Sequence, residues 1–185
     1  EMRISDLFQT LEDSTRRLLG KQRVNIRLEC HYEDNIKIIE HYRLLSVIKN
    51  LVTNAVEAIQ SASGRGVVRV DEFVRQGHLT LRVTDNGPGI SDEMKLHVFE
   101  MFYSGAKSLA DSRRSLGLGL CLCKSIINAH GGEIWVSDNV PHGAIVSIKL
   151  PMGEVNLDEI YFELKLAEEK EIIKIRAEIR DIENR

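Results

Sequence analysis

The stretch Asp85-Asn86-Gly87-Pro88-Gly89-Ile90 follows directly on a segment in which apolar and polar side chains alternate. Leu79, Leu81 and Val83 share one parity of that segment, so a β-strand would direct all three into a core. Asp85 falls on the same parity, and a carboxylate directed at a core is costly unless a hydrogen-bond donor meets it. We therefore predict a core strand that ends in a buried carboxylate.

The turn Gly87-Pro88-Gly89 has two explanations. Glycines allow backbone N–H groups to come close to a bulky ligand. A purine with an exocyclic amino group would fill such a space and would also donate to Asp85. The alternative is an ordinary loop turn of the Asn-Gly kind. These residues alone leave both explanations open.

Composition indicates a globular chain in a reducing compartment. The 185 residues are 43% hydrophobic and 29% charged, and the net charge of −3 gives no broad electrostatic reason to bind nucleic acid or anionic lipid. The three cysteines are an odd number without CxxC spacing, so neither a disulfide framework nor a zinc site is predicted. No apolar run approaches the roughly 18 residues that span a bilayer. We expect a cytoplasmic piece of a longer protein.

Hydrophobic periodicity predicts alternating helices and strands. Helices are predicted over 4–19, 43–61, 116–130 and, in short form, after the N-cap Ser91. Strands are predicted over 24–30, 36–39, 67–74, 79–85, 134–136 and 144–150. The tail from Glu154 to Arg185 is dense in charge and predicts a further helix, with isoleucines spaced to suit a partner helix. Lys165 and Glu168 interrupt that stripe, so a long coiled coil is not predicted.

The helix over 43–61 carries an unusual polar face. Asn50, Asn54 and Glu57 lie together opposite its apolar side. Such a face is most often solvated, but asparagine is a poor helix former. Carboxamide oxygens are neutral, hard ligands that suit a hydrated magnesium ion.

Two further segments predict contact with an anion. Residues 103–115 lose periodicity and collect serine, glycine and basic side chains, which is typical of a mobile, cationic loop. Leu116-Gly117-Leu118-Gly119-Leu120 then opens a helix whose N-terminus is suited to binding an anion. The glycines of this segment either let the backbone approach a ligand or pack against a neighbouring element.

Taken in order, these segments resemble the ATP-binding catalytic domain of bacterial sensor histidine kinases, within the superfamily of gyrase, Hsp90 and MutL. The N box is 50–55, preceded by Glu40 where many members have Asp, and the G1 box is 85–89. The F box is 99–103 and the G2 box is 117–120. The resemblance implies an α+β fold, a two-layer sandwich with helices on one face of a mixed sheet and a C-terminal helical tail. It divides the chain into a helix or linker from a dimerisation region (1–20), the catalytic domain (21–151) and a charged helical extension (152–185).

The resemblance also implies a role for individual residues. Asp85 would accept from the adenine amino group, Asn54 would hold Mg²⁺, and Asn50 would lie beside the phosphates of ATP as the catalytic position. Lys107, Arg113 or Arg114 would reach the phosphates from a lid. The full set of implied nucleotide contacts is Asn50, Asn54, Asp85, Gly87, Gly89, Ile90, Phe99, Phe102, Tyr103, Lys107, Arg113, Arg114, Gly117, Leu118, Gly119 and Leu120.

The stretches 112–120, 128–132 and 141–144 look like the potassium-responsive Kdp-type kinases in particular. The family often has Gly where Ser115 stands, which implies a lid that closes differently. No His-Glu-x-x-Asn phosphoacceptor motif occurs, and all six histidines are interpreted as structural. The resemblance therefore implies that the acceptor histidine lies on dimerisation helices of the same full-length protein, a homodimer in the bacterial inner membrane. It also implies a response regulator as partner, and neither nucleic acid nor direct membrane contact by this segment.

Two other functions fit parts of the pattern. Hydrolytic relatives of the gyrase, Hsp90 and MutL kind have Glu four residues before the metal asparagine, where it activates water. Asn50 occupies that position here, and an amide cannot take a proton from water at neutral pH. Glu57 lies two turns away and is a poor substitute. The second alternative is a degenerate nucleotide-binding module, against which the intact Asp85 and both glycines of the turn argue.

Overall fold

The computed structural model describes residues 2–22, 25–33, 37–38, 41–62, 64–100 and 119–152, together with 165–166, 168–177 and 180 of the tail. The elements in chain order are β1 (Met2–Arg3), α1 (Ile4–Gln22), β2 (Asn25–Tyr32), β3 (Lys37–Ile38), α2 (His41–Ala62), β4 (Arg65–Arg75), β5 (His78–Asp85), α3 (Asp92–Lys95), α4 (Gly119–Ala129), β6 (Glu133–Asp138) and β7 (Ala144–Pro151). Residues 168–177 of the tail are also helical.

A mixed five-stranded sheet forms one layer, with the order β2-β4-β5-β7-β6. β2 and β4 are parallel, and the remaining pairs are antiparallel. The three long helices cover one face, where α1 contacts β2, α2 contacts β4 and β5, and α4 contacts β6. The predicted two-layer α+β fold with helices on one face is confirmed. Within the helical layer, α1 also packs against α2.

β5 lies at the centre of the sheet and is buried more completely than its alternation predicts. Leu79, Leu81, Val83 and Asp85 all point into the core, as expected. Thr80 and Thr84 of the opposite parity are buried as well. Their short side chains lie on the outer face between the longer residues of β4 and β7, because β5 has a neighbour along both edges. A central strand therefore hides small polar residues that an edge strand would expose.

Helix α1 belongs to the core of the unit. Ile4, Leu7, Phe8 and Leu11 are at most 2% exposed and lie in the same apolar cluster as the α2 and sheet residues. The Phe8 ring also meets the Tyr32 ring of β2 at a centroid distance of 5.5 Å. Packing thus continues across residue 20, where the resemblance implies a boundary. The origin of residues 1–20 in a dimerisation region stays a prediction.

Short sequence signals predict where some helices and strands begin and end. Ser91 caps α3 as predicted, since its Oγ accepts from the Met94 N–H at 3.2 Å. That helix is a single turn, shorter than the predicted one. The short strand predicted over 36–39 is β3, which pairs with β1. Within the described segments, no helix combines the length and the apolar character that a bilayer-spanning helix needs.

We predict that Phe8→Ala lowers the free energy of unfolding of the whole unit by about 3 to 5 kcal/mol, because a buried aromatic side chain leaves a cavity. Urea unfolding, followed by far-UV circular dichroism and tryptophan fluorescence, measures this change in the free energy of unfolding. The matched control is Gln9→Ala on the exposed side of the same helix, which should change the unfolding free energy by less than about 0.5 kcal/mol. A near-neutral Phe8→Ala would show that α1 is an appendage.

Candidate functional site

The carboxylate of Asp85 is 6% exposed at the end of β5. Its Oδ1 accepts from the Gly87 N–H at 2.8 Å and from the Ala144 N–H at 3.3 Å. Among the described residues no hydrogen bond reaches Oδ2. Burial raises the pKa of Asp85, and the bonds from Gly87 and Ala144 and the nearby His142 only partly offset that effect. One carboxylate oxygen therefore remains available to a donor from a ligand.

Both glycines of the turn are closely packed against the protein. A Cβ at Gly87 would lie 3.0 Å from Asp85 Oδ1 and 3.4 Å from the Ile59 backbone nitrogen of α2. Gly89 has φ +81°, a conformation that favours glycine, and its Cβ would lie 3.2 Å from the Gly143 carbonyl oxygen. These close approaches are made to the protein itself. The approach of Gly87 and Gly89 to a ligand stays a prediction.

The loop between β6 and β7 holds the turn from the other side. The Asn139 side chain donates from Nδ2 to the Asp85 carbonyl oxygen at 2.9 Å. His142 donates from Nδ1 to the Gly87 carbonyl oxygen at 3.0 Å. Gly143 has φ +111°, and a Cβ there would collide with the Asp85 backbone. This loop therefore fixes both the backbone and the carboxylate of Asp85.

Sequence reasoning missed these loop residues as parts of the site. It took 141–144 only as a mark of subfamily and His142 as structural. Two signals were present, Pro141 two residues after an asparagine and a glycine directly before a strand, but both also describe an ordinary strand connection. Their contact with Asp85 depends on β7 lying beside β5, which only the sheet order decides.

Two more contacts tie the turn to the scaffold. The Asn86 Oδ1 accepts from the Val67 N–H of β4 at 2.8 Å, and it occupies space that a Cβ at Gly66 would need. After the turn, Lys95 of α3 pairs with Asp138 at 2.7 Å, so α3 is joined to the end of β6.

The asparagine face of α2 is half-buried, and the side chains on it contact one another. Asn54 donates from Nδ2 to Asn50 Oδ1 at 3.2 Å. Within the described part of the chain, no hydrogen bond ends on Asn54 Oδ1. A neutral amide oxygen held in this way suits a hydrated Mg²⁺ ion, which keeps most of its waters and needs few protein ligands. The described residues contain no cluster of three His, Cys, Asp or Glu side chains suited to a metal.

The start of α4 lies directly against this face. A Cβ at Gly119 would be 2.6 Å from Asn50 Oδ1 and 2.7 Å from its Nδ2. For Gly119, packing against a neighbouring element is therefore observed. Leu120 packs against the apolar core beside it. The structure thus brings the first residue of α4 and the polar face of α2 together, although they are far apart in sequence.

The remaining predicted residues fall into two groups. Ile90 and Phe99 are half-buried after the turn, and the Lys124 ammonium lies 5.6 Å from the centre of the Phe99 ring. The other predicted nucleotide contacts lie outside the described residues: Phe102, Tyr103, Lys107, Arg113, Arg114, Gly117 and Leu118.

The described histidine side chains make contacts within the protein. His31 pairs with Asp71 at 3.2 Å and His97 with Glu100 at 2.8 Å. His78 and His130 bond to backbone carbonyl oxygens, as His142 does. The structural interpretation of these five is consistent with their contacts, and the side chain of His41 lies outside the described set.

Comparison with known proteins places this arrangement in a family. The model of histidine kinase-, DNA gyrase B- and HSP90-like ATPases matches residues 40–154. The sensor protein KdpD of Clostridium acetobutylicum is 31% identical over 107 residues, which are 57% of this chain and 12% of that protein.

Two solved structures are similar over most of the chain. Histidine kinase ThkA, solved in complex with the response regulator protein TrrA, has a TM-score of 0.63 at 25% identity, covering 82% of this chain and 41% of that one. Full-length ShkA, solved in complex with AMPPNP, has a TM-score of 0.66 at 21% identity, covering 83% of this chain and 31% of that one. At this identity the likeness to ShkA shows the fold alone.

This chain thus spans well under half the length of KdpD, ThkA or ShkA. The matched segment contains both asparagines of α2, the Asp85 turn and the start of α4. The chain therefore belongs to the family of histidine kinase-, DNA gyrase B- and HSP90-like ATPases, as an ATP-binding catalytic domain of the sensor histidine kinase type.

Proposed function

We propose that this chain binds Mg-ATP and donates the γ-phosphate to a histidine on a separate helical segment of the same full-length protein. The single observation that carries the proposal is the buried Asp85 carboxylate with Oδ2 left open. An acceptor of this kind selects a ligand edge that offers a donor, such as the exocyclic amino group of adenine. Guanine has a carbonyl at the corresponding position and would be rejected.

The contact between α2 and α4 supports the rest of the proposal. Asn54 Oδ1 would hold Mg²⁺, which when bound neutralises charge on the phosphates of ATP. Asn50 would lie beside those phosphates, close to the first amides of α4, where the end of a helix favours an anion. The basic residues Lys107, Arg113 and Arg114 would supply further positive charge.

Phosphoryl transfer depends mainly on positioning and charge neutralisation, so a neutral imidazole in line with the γ-phosphate needs no strong base from this domain. Asn50 is bonded to Asn54 and is an amide, so it cannot deprotonate water. Transfer to histidine is therefore favoured over hydrolysis.

The wider setting follows from the relatives. The complex of ThkA with TrrA supports a response regulator as the next acceptor. We further propose that the full-length protein is a homodimer anchored in the bacterial inner membrane, as the resemblance to sensor histidine kinases implies. The match to KdpD alone supports potassium as the stimulus.

The first prediction concerns adenine recognition. Asp85→Asn places an NH₂ group where Oδ2 stands, so a donor would meet the adenine amino group, and ATP binding should weaken by about 1.5 to 3 kcal/mol. Calorimetry with ATP and GTP measures it, and the wild type should prefer ATP. The control is Asp92→Asn, an exposed carboxylate on α3 that should leave the affinity for ATP unchanged. Equal wild-type affinity for the two nucleotides would exclude the assigned role of Asp85.

The same substitution should stabilise the nucleotide-free protein. Burial raises the pKa of Asp85 in the folded protein above its pKa in the unfolded chain. The resulting contribution of Asp85 to the free energy of unfolding is present below the unfolded-state pKa and is lost as pH rises through the folded-state pKa. At neutral pH the ionised wild type lacks this contribution, so Asp85→Asn should have the larger free energy of unfolding. Urea unfolding between about pH 4 and pH 7 should show the difference shrinking on acidification. A difference that grows instead would contradict the raised pKa.

The next prediction concerns chemistry. The chain alone should bind ATP with neither appreciable hydrolysis nor self-phosphorylation. Joined to a helical segment that carries the acceptor histidine, it should form an acid-labile, base-stable phosphohistidine, measured with γ-labelled ATP.

Asn54→Ala should abolish that product by removing the metal ligand. Asn128→Ala on the exposed side of α4 is the matched control and should retain it. Sustained ATP hydrolysis by the chain alone, lost on Glu57→Gln, would support the hydrolytic relatives instead.

A further inference from the structure

The helical tail segment 168–177, here called the tail helix, contacts two helices of the catalytic unit. Glu168 Oε1 accepts from an Arg43 guanidinium nitrogen at 3.0 Å, in the first turn of α2. Glu171 Oε1 accepts from the Cys121 thiol at 2.9 Å, in the first turn of α4. The tail helix is therefore anchored at two points on different elements, and the residues beyond 154 lie outside the family match.

One face of the tail helix makes these contacts. Glu168, Glu171 and Ile175 recur at i, i+3 and i+7, which places them on one side of a helix. Glu171 and Ile175 are its half-buried residues. Ile172 and Ile173 remain 48% and 66% exposed. Of the isoleucines spaced to suit a partner helix, Ile175 is thus half-buried on the contacting face, whereas Ile172 is exposed.

Cys121 is chemically matched to its partner. Burial, and after it the Glu171 carboxylate, raise the pKa of the Cys121 thiol to about 11. The thiol is therefore protonated at neutral pH and can donate to the carboxylate. Lys124 and Lys174 are the cations that act on the same thiol in the opposite direction.

We propose that α2 and α4 form a docking surface for a helix that presents glutamates on one face, that the chain's own tail helix occupies it, and that docking is coupled to nucleotide binding. The coupling rests on the proposed function. Cys121 is two residues from Gly119, whose backbone packs on Asn50. Cys123 and Ile127 anchor α4 in the core. A tail helix that holds both Cys121 and Arg43 would keep α4 in place against α2, and with it the contact of Gly119 with Asn50 on which the proposed phosphate site rests.

Docking of this kind is weak and reversible. The ion pair is partly exposed, with 26% of the Arg43 side chain and 53% of the Glu168 side chain accessible. A second ligand that favours the same α2–α4 arrangement shifts such an equilibrium, and the effect is reciprocal. Nucleotide should therefore tighten the tail helix, and loss of the tail contact should weaken nucleotide binding.

The test uses the full 185-residue chain with Glu171→Ala and the matched control Glu169→Ala, which removes an exposed carboxylate from the same helix. Hydrogen exchange should be faster over 168–177 and over the first turn of α4 in Glu171→Ala only. Its dissociation constant for Mg-ATP should rise by about 5-fold, the lower end of usual coupling between sites. Saturating Mg-ATP should slow exchange over 168–177 in the wild type.

Each other outcome has a defined meaning. Equal tail exchange in the two variants would overturn docking, and faster tail exchange with unchanged affinity for ATP would overturn the coupling. If protection of 168–177 from hydrogen exchange rises with protein concentration, the intramolecular assignment is overturned. The tail helix of a second copy would then occupy the docking surface. A wild type that binds no ATP overturns the proposed function, while its tail exchange still tests docking.

Discussion

The bonds from the Gly87 and Ala144 N–H groups to one oxygen of Asp85 are the constraint on which the site depends. They join the end of β5 to the start of β7 and hold the other carboxylate oxygen open. Asn139 and His142 reinforce the same junction through backbone carbonyl oxygens. A buried carboxylate costs stability, which the raised pKa of Asp85 expresses. This cost in stability arises at the position where a hydrogen-bond donor of a ligand can offset it.

The second half of the site is made by close packing of two helices. Gly119 lets the start of α4 approach the amide of Asn50 so closely that a Cβ there would displace the Asn50 side chain. The Asn54 side chain is oriented by its hydrogen bond to Asn50, so the two amides share one polar face, to which we assign the proposed phosphate and metal positions. An amide pair supplies no base, so under the proposed function it favours transfer to a separate acceptor over hydrolysis.

The helices that form the site also form the outer surface that the tail helix touches. Arg43 and Cys121 lie in the first turns of α2 and α4, and Cys121 is two residues from Gly119, which contacts Asn50. A weak contact at this margin costs little to break, yet it acts on elements that the core holds rigidly. A segment outside the shared family fold can in this way influence a site that it does not touch.

The sequence by itself determined most of the elements and the family, and it predicted which residues form the site. Alternation directed Leu79, Leu81, Val83 and Asp85 inward, because the period of a strand allows no other placement. The asparagine face of α2 and the capping role of Ser91 also followed from local spacing. The tertiary structure decided which distant segments meet. The order β5-β7-β6 brings Asn139, His142 and Ala144 to Asp85, and the packing of α4 on α2 makes Gly119 a contact of Asn50. Thr80 and Thr84 are buried for the same reason, since strand order rather than side-chain pattern puts β5 in the middle. Periodicity reports which way a residue faces on its own element, whereas only the assembled sheet and helices fix what it faces.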